Sequence, residues 1–210
     1  MNKLIIIPIV LVIASVVSYV LITPQDTPET LTIPIYDSGF TYYDIEYIQT
    51  SLKEHDIFVS TPTPITDHTI TQYCTFFEND KSQSVEYCTT TVVLDSNGNT
   101  IGNINIGGST TSPILAIANL ETATLESDKE ITFEIFETVI TTLVCDCWDE
   151  ESIGFENISQ WLEAVHTFYY DSGQRNIKSK IDNLSGTEIL FEITSKDDSV
   201  LQTLIITKHV

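Results

Sequence analysis

A chain of 210 residues with ordinary apolar content is long enough for one core-bearing domain and too apolar to be wholly disordered. Its charge is lopsided: 30 Asp and Glu stand against nine Lys and Arg, a net charge of -21. Such a surface repels phosphate backbones and anionic lipid headgroups, so nucleic acid is excluded as a natural partner. The imbalance sits in residues 23–171, which hold 25 acids and only Lys53, Lys81 and Lys129, whereas residues 172–210 are neutral.

Met1-Asn2-Lys3 precedes 19 residues, 4–22, without a charge, just enough to cross a hydrocarbon core. Lys3 lies before this run and the first charges after it, Asp26 and Glu29, are acidic, which favours an N-terminus in the cytoplasm and residues 24–210 outside. The expectation is single-pass association with the cell membrane through residues 1–22, an anchor or uncleaved signal. The alternative is secretion after leader cleavage, for which Val16-Val17-Ser18 offers small residues but no A-x-A site. Residues 23–30, with two prolines and no apolar run, read as a linker, and residues 31–210 as a single extracytoplasmic domain.

Residues 31–36 alternate like a strand, with Pro34 marking an edge, and residues 37–39 turn the chain. Ile45, Ile48 and Leu52 recur at helical spacing over residues 42–55, and residues 57–59 start a strand, giving a βαβ-like opening. Residues 61–64 read as a stiff loop. Residues 72–77 and 84–94, rich in Thr, Val, Tyr and Phe, predict two strands around a turn at 78–81. Asn97-Gly98 predicts a type I′ hairpin turn, after which Ile101, Ile104 and Ile106 continue the sheet to Gly107-Gly108, with a further strand at 113–120.

Ser127-x-x-Glu130 reads as a capping box before a helix bearing Phe136, Val139, Ile140, Leu143 and Cys147, although Ile131, Phe133 and Ile135 alternate as in a strand. Asn157-x-x-Gln160 caps a second helix whose apolar face carries Ile158, Trp161, Leu162, Val165, Phe168 and Tyr169, and Ser172-Gly173 stops it. Residues 177–181, 187–194 and 200–207 close the domain as three strands. The predicted fold is α+β: a mainly antiparallel sheet of six to eight strands with about three helices on one face, preceded by one N-terminal transmembrane helix.

The chemistry-bearing residues are few. Cys74, Cys88, Cys145 and Cys147 are an even count in a chain expected outside the cytoplasm, so they are disulfide candidates. If strands 72–77 and 84–94 pair about Lys81, Cys74 and Cys88 fall opposite each other. In Cys145-Asp146-Cys147 an i to i+2 bond is strained by its spacing and labile, which opens thiol-redox chemistry; alternatively each pairs with Cys74 or Cys88, tying the first long helix to the sheet. Reduced, the same two thiolates beside Asp146 and Asp149, followed by Glu150 and Glu151, make weak candidates for a metal site. His55, His68, His166 and His209 are scattered, and His166 reads as a structural histidine beside an apolar helix face. Tyr36, Phe40, Tyr42, Tyr43 and Tyr47 cluster in sequence and read as packing residues.

Asp95-Ser96-Asn97-Gly98-Asn99 fails the calcium-loop pattern, since Thr100 and Ile106 stand where Gly and Glu are needed. Two glycosylation sequons are present, at Asn157 and Asn183. Residues 92–102 loosely resemble the central hairpin of extracytoplasmic sensor domains of the Cache and PAS type. That likeness spans about 11 residues, and such receptors carry a second span and a cytoplasmic output region, so membership does not follow. No catalytic motif and no cofactor is indicated. The sequence points to a binding or structural module at the cell surface, with a small ligand or an envelope protein as partner. The alternative is an exported thiol-redox or metal-binding protein using Cys145 and Cys147.

Overall fold

The computed structural model describes residues 39–66, 68–78, 81–148 and 154–208, and the backbone alone for residues 76–78 and 81. The expected anchor, linker and first strand, and with it the βαβ opening, lie outside the described residues. Within them no helix is long and apolar enough to cross a membrane.

Helix α1 (Asp44–Glu54) buries Ile45, Ile48 and Leu52 along one stripe, with Asp44 and Glu46 in its first turn and Lys53 in its last, as the helix dipole favours. Strands β1 (Phe58–Val59) and β2 (Thr63–Pro64) follow, and both pair antiparallel with the outer edge of β5 (Tyr87–Leu94). The loop expected at 61–64 therefore contains a strand. Pro64 has no N–H to donate, which a two-residue edge pairing tolerates.

The next segment differs most from expectation. Instead of one strand over 72–77, a single helical turn α2 (Ile70–Tyr73) precedes β3 (Thr75–Glu78), which forms a separate hairpin with β4 (Lys81–Ser84) in the register Thr75↔Ser84 to Glu78↔Lys81. That register sets Cys74 outside the ladder. Cys88 pairs across β5 with Gly107 of β6 (Thr100–Gly108), not with Cys74.

The β5–β6 connection is also not type I′. The Gly98 N–H donates to the Asp95 carbonyl (3.0 Å), the Asp95 N–H to the Asn99 carbonyl (2.9 Å), and Gly98 alone in that turn has positive φ (82°). This is a three-residue loop with a left-handed glycine at its end. The double positive φ expected there occurs instead between β8 (Ile177–Leu184) and β9 (Thr187–Ser195), at Ser185 (50°) and Gly186 (76°).

With β7 (Pro113–Thr122) and β10 (Val200–Lys208), the large sheet runs β1-β5-β6-β7-β10-β9-β8. Two three-stranded meanders, β5-β6-β7 and β8-β9-β10, meet at the antiparallel β7–β10 pair, where Ala118 faces Leu204. Helices α3 (Lys129–Leu143) and α4 (Ile158–Asp171) connect the two meanders. The expected α+β class and antiparallel sheet hold, with four helices among the described residues.

Helix α3 forms despite the alternation at its start, because Ile135, Phe136, Val139, Ile140 and Leu143 then share one buried stripe. The capping box at Ser127 does not form. Asp128 occupies the cap position in a left-handed conformation, and the Ser127 hydroxyl lies 2.9 Å from that of Thr124. Cys147 lies beyond the helix. Helix α4 starts as expected, with the Asn157 carboxamide oxygen accepting from the Gln160 N–H at 2.8 Å. Phe168 departs from the expected apolar face and is exposed, whereas His166 is buried there.

The core fills the space between one sheet face and α1, α3 and α4, around Trp161, Phe136, Phe191, Ile104 and Leu204. A smaller cluster on the opposite face packs Ile70, Cys74, Val85, Cys88, Leu115 and Ile117.

Candidate functional site

The disulfide Cys74–Cys88 (Cα–Cα 6.4 Å) lies wholly buried in the smaller cluster, where it pins α2 and the β3–β4 hairpin onto the sheet. Gly107 makes room for it, since a Cβ there would stand 2.8 Å from Val85 Cγ2 and 3.4 Å from Cys74 Sγ. The expected bond is present, but it joins the end of a helical turn to a strand rather than two residues level on neighbouring strands.

The second bond, Cys145–Cys147 (Cα–Cα 5.1 Å), closes on itself just after α3. Both residues are half-buried and Asp146 is exposed. The loop is fastened by Trp148, whose indole N–H donates to the Phe155 carbonyl (3.2 Å) and whose ring lies 5.9 Å from that of Trp161. Between this loop and the start of α4 opens a cleft of about 370 Å³, walled by Glu137, Cys145, Asp146, Trp148, Asn157 and Ser159 among others. The Ser159 hydroxyl donates to the Glu137 carboxylate, and Asn157 is occupied as the helix cap.

Cys145 is therefore the sulfur that fronts a cleft. Its neighbours Glu137 and Asp146 are carboxylates, and Asn157, Ile158 and Ser159 at the start of α4 line the same cleft. With both sulfurs bonded, neither is a metal ligand in this form. Among the described residues no group of three or more His, Cys, Asp or Glu side chains is placed to hold a metal ion, and Asp149, Glu150 and Glu151 lie outside them.

The histidines are not brought together. His55 pairs with Glu134 at the surface (3.2 Å), His68 is exposed, and His209 lies outside the described residues. His166 is 1% exposed, flanked by the rings of Phe133 and Phe191, with Nε2 2.8 Å from the Gln202 carboxamide oxygen. Its Nδ1 and the Gln202 Nε2 have no partner among the described residues. Burial lowers the His166 pKa from its usual range, outweighing the Gln202 bond, so the ring is neutral.

The aromatic cluster divides. Phe40 is buried, and the Tyr42 hydroxyl donates to the Ser109 carbonyl (2.7 Å) with its ring edge-on to Tyr87, so burial first and Tyr87 next push its pKa up. Tyr43 and Tyr47 are exposed, and Tyr36 lies outside the described residues. Asp95 spends its carboxylate on the turn, accepting from the N–H groups of Asn97 and Asn99 and from the Asn99 side chain. These bonds, Asn99 foremost, hold its carboxyl below the usual range.

Two arrangements had no sequence signal. Lys208 ends β10 with its ammonium 3.8 Å above the Phe40 ring, donating to the carbonyls of Phe40 (3.0 Å) and Pro113 (3.2 Å), and burial brings it down to about 8. On the sheet face away from the long helices, Asn105 and Asn119 donate to Asn103, and Thr203 to Asn119, a ladder joining β6, β7 and β10. A second open cleft, of about 350 Å³, lies between the end of α4 and the β9–β10 turn, with Tyr169, Tyr170 and Lys196 on its wall.

Comparison with family models, with curated proteins and with solved structures gave no match in any of the three.

Proposed function

We propose that the protein is a membrane-anchored extracytoplasmic domain that serves as a binding or structural module at the cell surface, held by residues 1–22. The observation that carries this reading is the pairing of all four cysteines into two intrachain disulfides, since such bonds persist in oxidising compartments. The net charge of -21 supports a soluble surface facing an ionic medium and a basic or neutral partner. Both clefts are open and carry charged or hydroxyl-bearing walls, which suits a surface partner better than an enclosed apolar ligand.

The test is protease shaving of intact cells followed by fractionation. Residues 24–210 should be digested from outside and the remainder should stay with the membrane. Full protection in intact cells, with digestion after lysis, overturns it.

A second reading, thiol exchange at Cys145–Cys147, is favoured by one contrast: Cys145 fronts a cleft while Cys74 and Cys88 have no exposure. In that reaction a dithiol substrate is oxidised to its disulfide through a mixed disulfide with this pair, which is reduced to two thiols. A reduced model protein would gain its disulfide in step with loss of the Cys145–Cys147 bond, and C145S/C147S would abolish the exchange. Equal rates with that variant end the reading.

A further inference from the structure

The two Asn-x-Ser triplets, at Asn157 and Asn183, lie in different surroundings. An N-linked glycan is bulky and replaces a hydrogen on the asparagine carboxamide nitrogen, so an acceptor belongs on a surface loop where that side chain has no other structural task. At the first triplet the Asn157 side chain caps α4, Ile158 and Ser159 are already helical, and the Ser159 hydroxyl is given to Glu137. At the second, Asn183 and Ser185 are both exposed and both in the left-handed region (φ 60° and 50°), at the tip of the β8–β9 hairpin. Neither of their side chains makes a hydrogen bond among the described residues. Asparagine tolerates that backbone conformation better than other residues with a Cβ, and Asn183 has no partner in the β8–β9 register.

We infer that Asn183 is an N-linked glycan acceptor and that Asn157 is not, an inference that rests on the export proposed above. In the transfer, Asn183 Nδ2 attacks the anomeric carbon of an oligosaccharide carried on a polyprenyl phosphate or diphosphate. The N–C bond forms, the anomeric C–O bond breaks, the lipid phosphate leaves with the bonding pair, and the amide proton passes to the transferase. The position has a physical use. β8 is an edge strand of the large sheet, and the register shift between Ile181 and Leu184 already interrupts its ladder beside Asn183. A glycan there blocks a second chain from pairing along that edge, adding to the charged side chains of Lys178 and Lys180.

The test expresses the full chain in a eukaryotic secretory host in two versions, one behind its own N-terminus and one with a cleavable secretion leader added. Intact mass and peptide mapping after enzymatic deglycosylation, which leaves aspartate at the acceptor, are the readouts. In the leader-borne version the inference expects one glycan, lost in N183Q and in S185A and kept in N157Q, with both disulfides formed in each. A secreted, disulfide-bonded chain with Asn183 unmodified overturns it, as does a glycan retained in N183Q. A glycan on Asn157 overturns its exclusion. If the leader-borne version is glycosylated and the other is not, the export reading falls and the acceptor stands.

Discussion

At the scale of single residues, His166 and Gly102 make the sharpest claims. His166 is neutral in the core, so on acidification the unfolded chain takes up a proton that the folded chain refuses. Stability contributed this way is complete above the ordinary value of 6.5 and is lost as pH falls below it, at up to about 1 kcal/mol per pH unit. Lys129 lowers the ring's pKa further, while Glu163 and Glu126 act the other way. Urea midpoints at pH 7.5 and 5.5 check this. Wild type should lose more stability than H166L/Q202L, in which both polar partners are replaced together so that neither is left unpaired. Equal losses would show that the ring does not carry the acid sensitivity.

Gly102 is required by space. A Cβ there would stand 2.0 Å from the Asn119 carbonyl oxygen, which is backbone and cannot swing aside. G102A should cost about 3 kcal/mol, at the upper end for overpacking. G186A has open space and only its φ of 76° against it, so it should cost about 1 kcal/mol. Thermal unfolding of the two variants distinguishes packing from backbone conformation. The sequence marks both as glycine and says nothing of the difference, because close approach depends on the β6–β7 register.

At the scale of elements, legibility followed periodicity. α1, α4 and strands β6 to β10 could be read because one face of each carries the core residues at regular spacing. The segment from Ile70 to Ser84 could not. Its Thr, Tyr and Phe content favours strands, yet Ile70 and Cys74, four residues apart, face the same small cluster, and that burial winds one helical turn between them. Removing the two disulfides should reveal their different roles. C74A/C88A opens a loop with a sequence separation of 14 and should cost about 3 kcal/mol, whereas C145A/C147A, with a separation of 2, should cost about 1 kcal/mol. Partial reduction and alkylation under native conditions should label Cys145 and Cys147 first, because Cys74 and Cys88 have no exposure. Simultaneous labelling of all four would contradict the assigned burial. The cap of α4 gives a smaller check: N157A should cost about 1 kcal/mol.

At the scale of the whole molecule, one sheet organises everything. Its long helices cover one face, and the cystine-stapled α2 and β3–β4 hairpin cover part of the other. Its two edges are managed differently, by the short strands β1 and β2 against β5 and by charge and a register shift on β8. The sheet class could be inferred from composition and alternation. The cleft beside Cys145 could not, because it depends on how residues 145–148 sit against the start of α4, where the Trp148 ring lies 5.9 Å from that of Trp161.

The most direct test of the account is the oxidation state and location of the native protein in its own cells. Trapping thiols at lysis, then denaturing the purified chain and titrating it, should find no free thiol and a protein recovered with the membrane. Four titratable thiols on a chain recovered from the cytosol would contradict it.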